Sequence, residues 1–146
     1  MKIVIEDVLG TMGSLRKVMS LIIKEIHPEE ALSPGEIQAL MVLYNNRSIH
    51  TLGEIQVCLG VSKGLVSRNL NALEERGLIT FETDPADRRM KRAVLTEKGE
   101  HAAGPVGERM QIIVEEMFGD LNAEDVEAFK RVIMYIKKEA NRVRKD

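Results

Sequence analysis

Residues 84 to 92 read Asp84-Pro85-Ala86-Asp87-Arg88-Arg89-Met90-Lys91-Arg92, and this stretch constrains the fold more than any other. Four cations, Arg88, Arg89, Lys91 and Arg92, fall within five residues. They sit on a turn between two strand-like runs, 78–83 and Lys91–Leu95, which makes the segment a hairpin with a basic tip. A helix, tight turn, helix pattern precedes it. Leu95-Thr96-Glu97-Lys98-Gly99 follows it.

The rest of the chain reads as helix. Val8, Met12, Leu15, Met19, Ile22 and Ile26 recur at helical spacing over Ile5–Ile26, and His27-Pro28 ends that run because a residue before proline avoids the helical region. Ser33-Pro34-Gly35-Glu36 opens a second helix, with Ser33 as cap, Pro34 at the first position and Glu36 completing a capping box. Thr51-Leu52-Gly53-Glu54 repeats that logic for a short helix through Leu59; Gly60 then supplies a turn. Ser62 caps the next helix, which Gly77 closes, since a left-handed residue is cheap at glycine. After the hairpin Thr96 starts a helix reaching Phe118, which Pro105 should kink or break. Asn122 and Asp125 cap a last helix whose Val126, Phe129, Ile133, Ile136, Ala140 and Val143 form a narrow apolar seam. The expected fold is mainly α with a small β-hairpin wing. It is a single domain (1–146) with a winged helix-turn-helix lobe at 33–95.

Composition limits the function. The 146 residues suffice for one self-sufficient core. Aromatic residues make up 3% and tryptophan is absent, too few for a base-stacking platform on single strands. The net charge is −2, so any nucleic-acid contact must come from local clustering. Cys58 is the single cysteine, which leaves no intrachain disulfide and no thiolate metal cluster. The acids in the first apolar stretch do not fit a signal peptide, and no apolar run is long enough to span a bilayer; the expected compartment is the cytoplasm.

In the segment 62–76, Val66, Leu70 and Leu73 share one face and belong to the core. Lys63, Gly64, Ser67, Arg68 and Asn71 lie opposite, with short side chains near the N-terminus that allow close approach to bases. Ser62 and the free first-turn N–H groups suit a phosphate. Lys63 and Arg68 suit phosphate or guanine, and Asn71 suits adenine. Taken alone, such a helix reads more readily as an ordinary amphipathic helix with a solvated polar face. A basic hairpin beside it changes the reading, because the tip can reach a phosphate-lined minor groove while the helix faces base edges.

These segments resemble the multiple-antibiotic-resistance regulator (MarR) family of winged-helix transcription factors, over nearly the whole chain. The sharpest part is Asp87-x-Arg89, five residues, then Leu95-Thr96-x-x-Gly99, similar to the family's wing signature. Leu59-Gly60-Val61-Ser62-Lys63, Val66-Ser67-Arg68 and Leu73-Glu74-Glu75-Arg76-Gly77-Leu78-Ile79 are similar to its recognition-helix region. The resemblance implies that Arg89, with Arg88 beside it, meets the minor groove and that Asp87 shapes the wing. Leu65 departs from the pattern, standing where many relatives carry a hydroxyl, so either one DNA contact is missing there or Leu65 belongs to the core.

The resemblance further implies a homodimer, in which 1–30 and 100–146 interleave across a two-fold axis and the pair prefers an inverted-repeat operator in double-stranded DNA. Spacing alone equally allows the terminal helices to pack on each other within one subunit. Repression relieved by a small anionic or aromatic effector is implied too. Arg16, Met19, Met41 and Tyr44 are candidates to line its site, and the methionines and Tyr44 are otherwise core. Cys58 reads as a buried apolar thiol on a packed face with Ile55 and Leu59. His27, His50 and His101 show no metal-ligand spacing, and Glu29-Glu30, Glu74-Glu75 and Glu115-Glu116 read as solvated faces. No cofactor and no catalysis are expected. The alternative is a winged-helix module that binds protein instead of DNA.

Overall fold

The computed structural model describes residues 2–26 and 31–143, so the expected helix end at His27-Pro28 and the Glu29-Glu30 pair lie outside the described residues. The elements are α1 (Ile5–Ile26), α2 (Pro34–Asn45), α3 (Leu52–Leu59), α4 (Lys63–Glu75), β1 (Ile79–Thr83), β2 (Lys91–Leu95), α5 (Glu97–Phe118) and α6 (Ala123–Val143). They group into two compact units, and the boundary follows Glu108, inside α5.

Caps set most of these bounds. Ser33 Oγ accepts the Glu36 N–H at 3.2 Å, and Pro34 occupies the first turn of α2. The return half of that capping box does not form. Glu36 Oε2 instead lies 3.5 Å from Arg76 Nε, because Arg76 is anchored beside it by donating to the Ala31 carbonyl at 3.0 Å. A nearby guanidinium outcompetes a neutral backbone N–H for a carboxylate. At α3 the box is complete: Thr51 Oγ1 accepts the Glu54 N–H at 3.2 Å, and Glu54 Oε2 accepts the His50 and Thr51 N–H groups at 2.9 Å each. The His50 bond, then the Thr51 bond, holds the Glu54 carboxyl below the usual carboxylate range.

Gly60, at φ 65°, turns the chain from α3 to α4. Gly77, at φ 73°, closes α4 in a Schellman arrangement: its N–H donates to Glu74 O at 2.8 Å, and the Leu78 N–H to Leu73 O at 2.9 Å.

The first unit is built on α2, α3 and α4, which pack on one another. Ile37, Leu40, Ile55, Val66, Leu70 and Leu73 are fully buried there, joined by Leu78 and Ile79 at the start of the hairpin and Val106 from α5. β1 and β2 pair antiparallel from Ile79↔Leu95 to Thr83↔Lys91. Thr51 bridges to Arg92, and the Ala93 N–H donates to His50 O at 2.8 Å, which adds a short third rung. This rung fixes the root of the hairpin to the start of α3.

Pro105 does not break α5, which runs unbroken from Glu97 to Phe118. The helix loses one internal donor there, but Ala103 and Val106 on either side are buried. Gly104 and Gly107 let α5 approach Tyr44 and Met41, so packing outweighs the proline's local cost. In the second unit α5 ends at a short turn, and α6 begins where Asn122 Oδ1 accepts the Asp125 N–H at 2.9 Å. The Phe118 and Phe129 rings meet across that turn at 5.2 Å.

Cys58 is exposed, contrary to the expectation of a buried thiol. The inward stripe of α3 is Leu52, Ile55, Gln56 and Leu59, of which Ile55 is fully buried. At about 100° per residue, Cys58 falls on the edge of that stripe and faces outward.

Candidate nucleic-acid interface

α4 is positioned by its core face. Val66, Leu70 and Leu73 are wholly buried, which forces Lys63, Gly64, Arg68 and Asn71 outward, with Ser67 half-buried. Ser62 Oγ caps the helix by accepting the Leu65 N–H at 3.3 Å.

The hairpin tip is shaped by two aspartates. Asp84 Oδ1 accepts the Ala86 N–H at 2.8 Å, and Asp87 Oδ1 accepts the Arg89 N–H at 3.0 Å. The Met90 N–H reaches Asp87 O at 3.0 Å, and the Asp84 N–H reaches Met90 O at 2.9 Å, which closes the loop. Asp87 therefore bonds the backbone of Arg89 and not its guanidinium. Among the described residues the side chains of Lys63, Arg68, Arg88, Arg89 and Lys91 enter no ion pair. Five cations without internal partners are free to meet an external anion.

Between α3, α4 and the hairpin lies an open groove of about 800 Å³. It brings together Lys63, Ser67 and Asn71 of α4 with Arg89 and Lys91 of the wing. Ser62, Gly64, Arg68 and Arg88 lie outside its lining: α4 turns Gly64 and Arg68 to its outer face, and Arg88 sits at the exposed tip. The groove also takes in Gln56 and Gly53 of α3, and Glu74 and Glu82. None of these was expected at the interface. Gln56 carries only a weak signal, a polar residue on the inward stripe of a short helix.

The junction after the wing explains the glycine of Leu95-Thr96-x-x-Gly99. Thr96 Oγ1 donates to Gly77 O at 2.6 Å and accepts the Gly99 N–H at 3.0 Å, while the Thr96 N–H reaches Leu78 O at 3.1 Å. A Cβ on Gly99 would stand 2.0 Å from the Leu78 carbonyl oxygen. Lys98 Nζ adds a bond to Arg76 O at 2.8 Å. The end of α4 and the start of α5 are thus one clamped joint.

The residues expected around an effector lie on α1 and α2. Met41 is buried and Tyr44 half-buried, both against Gly107 of α5. Met19 is half-buried on α1. Arg16 is exposed and lines an open recess with Gly13, Lys17, Ser20, Leu21 and Lys24. Arg47 stacks over the Tyr44 ring at 5.3 Å and pairs with Glu100 through both carboxylate oxygens. That pairing holds the Glu100 carboxyl low and the Arg47 guanidinium high. Among the described residues no group of three His, Cys, Asp or Glu side chains is placed to hold a metal ion. None of their helices is long and apolar enough to cross a membrane.

A sequence model described as the MarR family matches residues 32–90, which span α2 through the wing. The chain is 26% identical over 141 residues to the uncharacterized HTH-type transcriptional regulator YsmB of Bacillus subtilis (strain 168), covering 94% of this chain and 96% of that one. Its fold is similar to that of a MarR protein from Peptoclostridium difficile, with a TM-score of 0.78 at 20% identity, over 98% of this chain and 95% of the other. It is also similar to Bordetella bronchiseptica BpsR, whose DNA binding is regulated by 6-hydroxynicotinic acid, with a TM-score of 0.68 at 20% identity over 88% and 91%. The matched pattern lies on the helix-turn-helix and wing just described, so residues 32–90 are similar to the MarR family, and the chain shares the winged-helix fold of the solved MarR protein.

Proposed function

We propose that this chain is a cytoplasmic homodimer that binds an inverted-repeat operator in double-stranded DNA, represses transcription there, and is released by a small anionic or aromatic effector. The observation that carries the reading is that unpaired Lys63, Arg89 and Lys91 line one groove between α4 and the wing, whose loop is shaped by its own internal bonds. In this reading 33–95 is the DNA-binding lobe. Ser62, Lys63, Gly64, Ser67, Arg68 and Asn71 meet the major groove, and Arg88 and Arg89 meet the minor groove or its phosphates. Asp87 keeps the wing in shape.

Pairing through 1–30 and 100–146 is supported by apolar residues left in solvent. On α1 these include Leu9 and Met12, and on α6 Val132, Met134, Tyr135 and Ile136, the last four each more than half exposed. Faces of that size on a regulator call for a partner, and a second copy satisfies both by symmetry. An effector is supported by the regulation of BpsR. Met19, Met41 and Tyr44, with Arg16 as the cation, are its proposed contacts here.

The test is a gel-shift titration with the promoter of the protein's own operon at two salt concentrations. Specific retardation that weakens steeply with salt is expected. Equal affinity for promoter and random duplex would defeat the reading.

A further inference from the structure

Leu65 is exposed although it is a leucine. It retains 38% of its accessible surface on the first turn of α4, about 100° round from the buried Val66. Its neighbour Gly64 has nothing within 4 Å of where a Cβ would stand, so the backbone there can approach a partner closely. The Leu65 N–H is already satisfied by Ser62 Oγ, which leaves the side chain as what this position offers. It does not belong to the buried face of α4, which is Val66, Asn69, Leu70 and Leu73.

We infer that Leu65 is a specificity-determining residue that selects thymine through its C5-methyl group in the major groove. The inference rests on the proposed placement of α4 in that groove. N-terminal residues of a recognition helix are those that reach base edges. In the major groove only thymine presents a methyl group; G·C presents chiefly hydrogen-bond donors and acceptors with no methyl. A leucine against those atoms strips their water and returns no bond, which disfavours G·C at the contacted pair. Against a methyl group it buries apolar surface on both sides. Arg68, one turn on from Leu65, lies on the same side of the helix and can hold a neighbouring phosphate or guanine.

The experiment uses the full chain and a duplex enriched by it from a random pool. Each thymine is replaced in turn by deoxyuridine, which removes the methyl and keeps the pairing. One thymine per half-site is expected to be sensitive, with affinity falling about fourfold for each methyl removed, the equivalent of one buried methylene. Leu65→Ala, checked for an unchanged circular dichroism spectrum, should bind the thymine and deoxyuridine duplexes equally. Arg89→Ala should bind both more weakly and keep the preference. A wild-type chain indifferent to every deoxyuridine, or a Leu65→Ala variant that keeps the thymine preference, overturns the inference while leaving DNA binding intact. Failure to enrich any duplex would instead remove the DNA-binding reading, and this inference with it.

Discussion

At the scale of single residues, position matters more than type. Arg89 is surrounded by other cations, yet it alone has its backbone N–H fixed by Asp87 and also lines the groove. Arg89→Ala should therefore weaken operator binding by about 1–3 kcal/mol with no change in folding, as read by fluorescence anisotropy. Asp87→Ala should reduce affinity in the same direction by loosening the loop, although Asp87 itself repels phosphate. Gly99 is restricted from the other side. Its missing Cβ would meet a backbone carbonyl that cannot move away, so Gly99→Ala should lower stability by about 1–3 kcal/mol in urea denaturation. Cys58 shows how a single residue misleads. Its spacing from Ile55 suggested the packed face, but one position of helical rotation separates the core from solvent.

At the scale of elements, helix bounds were legible because they are written in local chemistry. Ser33, Thr51, Ser62, Thr96 and Asn122 each cap the helix that the sequence assigned to them, by bonds spanning three residues. What failed to show in the sequence was whatever depends on a distant partner. Glu36 turns to Arg76, 40 positions on, and Pro105 is tolerated because α5 is packed against α2. The groove shows the same limit: α4 and the wing were readable separately, whereas Gln56 and Glu82 joined them only through the fold. The cap of α3 gives a pH prediction. Glu54 has a folded pKa below its unfolded value of about 4.3, so its contribution is complete above that pH and is lost as pH falls through the folded value. The stability gap between wild type and Glu54→Gln should therefore shrink as denaturation is measured from pH 6 downward to about pH 3.

For the whole molecule, the issue is how a chain with a net charge of −2 holds a polyanion. Six of the 21 cations, Lys63, Arg68, Arg88, Arg89, Lys91 and Arg92, cluster locally on α4 and the wing. If each half-site neutralises a few phosphates, log K against log salt should slope on the order of −5 to −9 for the dimer. Deleting the chain after Asn122 should abolish dimer formation and operator binding together, measured by analytical ultracentrifugation and gel shift. A monomer with full affinity would show that the exposed faces of α1 and α6 serve another purpose.

The bonds of Thr96 to Gly77, Leu78 and Gly99 carry a mechanical consequence. Thr96 ties the loop that ends α4 to the first turn of α5, so a displacement on either side of this joint is passed to the other. Any rotation of that first turn would carry the C-terminal end of α4 with it.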